Sequence, residues 1–315
     1  MTEAAPLLQA VDLRSNIDTV YMQSSTNACT AHAVVNALDC MYDNAGQSKR
    51  FSRAWVWWWS RVNSGRAGLN VGASFTDLNA ALEKNGIVLE SAHPWKTDAF
   101  NPPPKGLVGQ TGVTFEVMRT SVPDIKRKLC LGIPVVIGFT IHQDFYSLYG
   151  KKDWRLHQWD ITKNDTYSDH AVCIVGYDDA ANRLLVENSW GPSFGDGGFF
   201  GIPYIDLPKI AREVWTIDRI YGFHPKPVEN FVTIPYLLDA NDNGFYTAKN
   251  KACLKQESAE ALATGGVQGL INWCVANWVT DKHLENLHSA DRGLVRSFQE
   301  ANPTLDWSKF PWMQL

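Results

Sequence analysis

The sequence predicts an α+β protein: helical in its first part (about 11–108), strand-rich in its second (about 109–224), and mostly helical in a C-terminal extension (225–315). Two patterns carry the prediction. Apolar residues recur at helical spacing early in the chain, as in Ala31, Val34, Val35, Ala37, Leu38 and Met41. Extended apolar runs bounded by glycine and proline gather later, at 112–118, 132–139 and 171–176, so helices and strands are segregated rather than alternating.

The first helix is expected to start at Cys29, where the polar, turn-forming run Gln23-Ser24-Ser25-Thr26-Asn27 gives way to the apolar period. A second helix is expected around Phe51–Trp59, which carries four tryptophans in five positions. Such a run suits a carbohydrate platform, but indoles packed into a core at helical spacing are the simpler reading. Ser74 leads into an amphipathic third helix, Phe75 to Asn85, with Gly86 as its stop. His93 precedes a proline, has no acidic neighbour positioned by a motif, and reads as structural. Asn101-Pro102-Pro103-Pro104 forms a stiff connector. A strand at 112–118 precedes a helix from Val122 to Leu131, and 132–139 reads as a buried strand. From Ile141 to Ser168 the chain is polar and aromatic, and His142 and His157 are expected on its surface. Pro225, Pro227 and Pro235 punctuate the exit into the extension. There, 239–244 matches the opening of a calcium loop, but Asn250 replaces the bidentate glutamate at its twelfth position, so a turn is the better reading. Residues 257–300 read as two or three helices.

Composition narrows the function. With 45% hydrophobic and 20% charged residues over 315 positions, the chain is ordinary globular protein, with room for one large or two ordinary domains. A net charge of −4 gives no electrostatic reason to expect nucleic acid or an anionic membrane as partner. No apolar run approaches the ~20 residues of a membrane span. Met1–Ala10 has no basic residue and no long apolar core, so no secretory signal is expected. The six cysteines (29, 40, 130, 173, 253, 274) are scattered without a CxxC or Cys/His cluster, and no metal or cofactor is expected. Cys40, Cys130 and Cys173 lie in apolar patterns and are expected to be reduced core residues, which points to a reducing, cytoplasmic setting.

Chemistry concentrates at Cys29. A helix N-terminus gathers unpartnered N–H groups, and its dipole favours a thiolate, which equips a cysteine there for nucleophilic attack. Position alone leaves a small buried hydrophobe as the competing role. Downstream residues decide between the two. Asp169-His170 opens a strand-like run, and Asn188-Ser189-Trp190-Gly191 is followed by Gly195-Asp196-Gly197-Gly198. His170 lies about 140 positions after Cys29, within the roughly 130–150 of papain-type enzymes, and Asn188 falls slightly beyond. With Gln23 six positions before Cys29, residues 11–224 resemble the papain-like (C1 family) cysteine peptidases, of a bacterial or phage type without a propeptide.

That resemblance implies a two-lobe fold, with a helical lobe and a β-rich lobe facing each other across a cleft that takes polypeptide substrates. It implies Cys29 as nucleophile, His170 as acid–base partner, Asn188 as the residue that orients the imidazole, and Gln23 as an oxyanion donor. It further implies that Val71-Gly72-Ala73 bind substrate backbone, that Asp169 acts electrostatically on His170, and that Trp190 shields the His170–Asn188 contact. Val11-Asp12-Leu13-Arg14 is similar to the opening of the family's mature domain. Two departures stand out. Thr26 occupies the place of a disulfide cysteine in extracellular members, and Thr30 follows the nucleophile in place of the common tryptophan. Restricted acyl transfer or isopeptide cleavage would use the same four residues. A non-enzymatic binding or structural protein, as a virion component or an effector delivered by a non-Sec route, is the alternative from another class. The resemblance stops before the extension, whose terminal Trp307, Phe310 and Trp312 are expected either to staple the tail onto the second lobe or to cover the cleft.

Overall fold

In the computed structural model, which describes residues 7–96, 102–162, 166–223, 225, 226 and 228, helix α1 spans Cys29–Asn44, α2 Arg53–Asn63 and α3 Phe75–Asn85. Helix α1 starts at Cys29 as its sequence predicts. Every residue from Thr30 to Tyr42 is buried, the mark of a helix enclosed on all sides. Helix α2 begins at Ser52, whose hydroxyl accepts the Trp55 N–H at 3.0 Å and donates to the His93 carbonyl at 2.5 Å. Its tryptophans pack inward. Trp55 and Trp57 are wholly buried, with their indole N–H groups on the carbonyls of Gly86 and Val71, and Trp58 and Trp59 are half-buried. Ser74 caps α3, and Gly86 ends it with a φ of +61°, a conformation that disfavours any side chain.

Strands β1 (Ala10–Asp12), β2 (Val113–Met118), β3 (Val135–His142), β4 (Thr166–Asp178), β5 (Arg183–Glu187), β6 (Phe199–Pro203) and β7 (Ala211–Ile220) form one antiparallel sheet. Its order is β2-β7-β3-β4-β5-β6, with β1 added onto β4. The addition needs Gly176, because a Cβ there would come within 2.3 Å of the Val11 carbonyl oxygen. Helix α4 (Val122–Cys130) starts at Ser121, which caps it. The strand expected at 132–139 is displaced to Val135–His142, since Gly132 takes a φ of +71° in the turn after α4 and Pro134 follows. Cys40, Cys130 and Cys173 are free thiols inside the core.

The surface position expected for His157 does not hold: it is 3% exposed. Its segment folds inward because Arg183 donates to the His157 carbonyl at 2.6 Å and the Trp154 backbone lies against Gly201 of β6. His142 is half-buried at the end of β3. His93 is buried edge-on to Trp55, a structural place. All described residues belong to one compact unit, Leu7–Phe231. The exit segment stays attached to it: Val228 N–H donates to the Cys130 carbonyl at 3.0 Å, and Asn44 Nδ2 donates to the Lys226 carbonyl. The calcium-like loop, Cys253, Cys274 and the terminal aromatic residues lie outside the described residues. Among the described residues, no helix is long and apolar enough to cross a membrane.

Candidate active site

Cys29 is the first residue of α1 and remains partly exposed, while the rest of that helix's first turns are buried. The polar run before it is tied into a fixed loop. Gln23 N–H donates to the Ser189 carbonyl at 2.8 Å, and Thr26 Oγ1 donates to the Gln23 carbonyl at 2.6 Å. The Gln23 amide is held at both ends: Ser189 Oγ donates to its Oε1 at 2.5 Å, and its Nε2 donates to the Thr26 carbonyl at 2.7 Å. One Nε2 hydrogen is left over. Asn70 binds the loop from the α2–α3 connection, accepting the Asn27 N–H on its Oδ1 at 2.8 Å and donating to the Ser25 carbonyl at 3.0 Å.

His170 stands on β4 opposite Phe139 of β3 and is 5% exposed. Asn188 follows β5 and is wholly buried. His170 Nε2 lies 2.8 Å from Asn188 Oδ1. The same oxygen accepts the Ser189 N–H at 2.8 Å, and a backbone N–H only donates, so the Asn188 amide orientation is fixed. Nε2 therefore carries the proton, and Nδ1 is left as an acceptor. The Gly-Asp-Gly-Gly turn holds Asn188 from below, with the Gly198 carbonyl accepting its N–H at 3.0 Å. Gly198 has a φ of +101°, and a Cβ there would lie 2.4 Å from Val20 Cγ1. Trp190 covers the imidazole, ring centroids 4.9 Å apart.

Burial dominates the electrostatics. It pushes the Cys29 thiol above its usual range, opposed by the N–H groups of Ala171, Thr30 and Cys29 itself. It pushes His170 down to about 4, opposed by the hydrogen bond to Asn188. Burial therefore acts against the charged form of each group, counter to the helix-end N–H groups that favour a thiolate. The Asp169 carboxylate, which accepts from Thr140 Oγ1 at 3.0 Å, raises the Cys29 thiol further. A buried histidine that sequence reading passed over, His32, lies one turn into α1, with Nδ1 3.0 Å from the Ala28 carbonyl oxygen and its pKa pushed down to about 3 by burial.

Gln23, Cys29, Asp169, His170 and Trp190 line one cavity of about 440 Å³, with the loop 22–27 on one side and Ile141, Tyr146 and Tyr149 on the other. Asn188 stands behind it. Val71-Gly72-Ala73 are outside its lining and next to it, and a Cβ placed on Gly72 would lie 4.0 Å from the Asn27 carbonyl oxygen. Ser189 sits inside the Asn-Ser-Trp-Gly motif and was therefore findable. Asn70, Tyr146 and Tyr149 carry no motif and were not. Among the described residues, no cluster of three histidine, cysteine or carboxylate side chains is placed to hold a metal ion.

The family model described as papain family cysteine protease matches residues 7–212. An uncharacterized peptidase C1-like protein, L477 of Acanthamoeba polyphaga mimivirus, is 25% identical over 217 residues, which are 63% of this chain and 69% of that protein. Cathepsin B-like CP3 of Giardia intestinalis is 35% identical over 83 residues, 25% of this chain and 26% of its own length. The crystal structure of xylellain, a cysteine protease from Xylella fastidiosa, superposes with a TM-score of 0.60 at 24% identity, covering 72% of this chain and 91% of that one. The two share a fold. The family match spans well over half of the sequence, and the chain belongs to the papain family of cysteine proteases.

Proposed function

We propose that this protease cleaves peptide bonds through Cys29, His170 and Asn188, by way of an acyl-thioester. The His170–Asn188 hydrogen bond carries this reading, because it directs the proton-free Nδ1 away from Asn188. As the substrate carbonyl arrives, the Cys29 proton passes to Nδ1 and Sγ bonds to the carbonyl carbon. Transfer within the pair leaves its total charge unchanged, so the burial that disfavours each ion alone is offset by their mutual attraction. The oxyanion is met by the free Nε2 hydrogen of Gln23 and the N–H of Cys29, which as a first helical residue has no partner within its helix. His170 then gives its proton to the leaving nitrogen as the C–N bond breaks. It next takes a proton from the water that attacks the thioester, and returns it to sulfur as the C–S bond breaks. Val71-Gly72-Ala73, adjoining the loop through Asn27, are proposed to take the backbone of the acyl half.

An epoxide thiol probe with a peptide substrate tests the reading. Stoichiometric labelling at Cys29 is expected, with labelling and turnover both lost in Cys29→Ala. His170→Ala should be nearly as damaging, and Asn188→Ala should leave a slower enzyme, because it removes orientation without removing the proton carrier. Turnover retained in Cys29→Ala would sink the assignment.

A further inference from the structure

The cleft has one aromatic wall that the chemistry above does not use. The Trp190 indole is flanked by Tyr146 at 5.2 Å and Tyr149 at 6.2 Å between centroids, with ring planes only 11° and 9° from its own. Tyr149 is 47% exposed and Met22, beside Trp190, is 51% exposed, while Trp190 itself is half-buried. Large apolar side chains left open in this way form a surface for a partner. The partner follows from continuity with the site: the same indole lies 4.9 Å from His170, the group that hands its proton to the departing amine. The wall therefore runs along the leaving-group half of the substrate. Tyr149 stands at most about 11 Å from His170, the reach of about three extended residues.

We infer that Tyr146, Trp190 and Tyr149 bind an aromatic side chain in the first three residues after the scissile bond, which makes peptides bearing one there the preferred substrate class. The inference rests on the hydrolysis proposed above. Near-parallel rings accept a further ring in stacked or edge-on contact, and one well-placed aromatic pair with its burial gives about a tenfold advantage over alanine.

Two arms test it. In the first, quenched peptides with a constant acyl half carry phenylalanine, tryptophan, alanine, lysine or aspartate at each of the three positions. The expected result is kcat/KM about tenfold higher for an aromatic residue at one position. Tyr149→Ala should bring the aromatic-to-alanine ratio near one, and Tyr149→Phe should keep it. A ratio near one in the parent chain, or a ratio that survives Tyr149→Ala, overturns the inference. In the second arm, calorimetry on Cys29→Ala uses short peptides that represent the leaving half alone. Tighter binding of the aromatic peptide than of its alanine counterpart supports the inference without turnover, and equal binding overturns it. A small amide substrate with no leaving peptide, tested beside them, reports failure of the hydrolysis itself separately.

Discussion

At the scale of single residues, the site is a set of donors and acceptors with little slack. Gln23 presents one hydrogen to the cleft only because Ser189 and Thr26 occupy the rest of its amide. Gln23→Ala should lower kcat by about 10² to 10³, the usual cost of one oxyanion donor. Ser189→Ala leaves the donor in place but unfastens it. A fall of about tenfold in kcat with KM nearly unchanged is expected from steady-state kinetics, since roughly one hydrogen bond of orientation is lost. An equal loss in both parameters would mean that Ser189 acts on binding instead. Asn188 shows how much one atom decides: a single oxygen accepts both the Ser189 N–H and the imidazole proton, and thereby sets the tautomer.

At the scale of elements, the nucleophile is placed by a helix end and its partners by strand ends. Register does the rest, since β3 against β4 puts His170 beside Phe139 and a shift of one residue would turn it to the other face of the sheet. The loop before α1 is held by Asn70, which contributes the bonds to Asn27 and Ser25. Asn70→Ala should raise KM severalfold while circular dichroism shows the helices intact. At the start of α2, Ser52 caps the helix and satisfies the His93 carbonyl in a buried place. Ser52→Ala removes both bonds and should cost about 1–3 kcal/mol in denaturant unfolding, with the kinetics of the surviving fold unchanged.

At the scale of the whole molecule, buried titratable groups set the pH range of the fold. Arg53, wholly buried, donates to Asn36 and Asp39, and burial pushes Asp39 up to about 7 and Glu187 up to about 8. A carboxyl with a raised folded pKa contributes fully below its unfolded value, near 4, and loses that contribution as pH rises through 7 to 8. His32 and His170, lowered to about 3 and about 4, act in the opposite sense: unfolding gains protons below 6.5, so acid destabilises the fold. The two effects oppose each other between about 4.5 and 6.5, and above 6.5 only the carboxyls remain. The free energy of unfolding should therefore peak near pH 5 to 6.5 and fall toward 8, by up to about 1.4 kcal/mol per pH unit for each group, as denaturant unfolding reads it. Glu187→Gln should remove most of that fall, and a still larger share of it above pH 7, whereas an unchanged slope would place the titration elsewhere. The buried free thiols Cys40, Cys130 and Cys173 lead to a further expectation: reductant should leave the melting temperature of the described unit unchanged.

The sequence by itself determined the helix that starts at Cys29, the helix that follows Ser74 with its stop at Gly86, and the identity of Gln23, Cys29, His170 and Asn188 as candidates. These were legible because helix periods, glycine stops and short motifs are local: their physics is complete within a few residues. Only the tertiary structure decided that His157 is buried, that Val11 joins the sheet through β4, and that burial raises the Cys29 thiol. It alone brought Asn70, Tyr146 and Tyr149 to the cleft. Desolvation depends on how many atoms surround a group, and strand pairing joins residues far apart in the chain. Val11 meets Tyr177 across the whole first part of the sequence, and no local pattern in either segment encodes that contact.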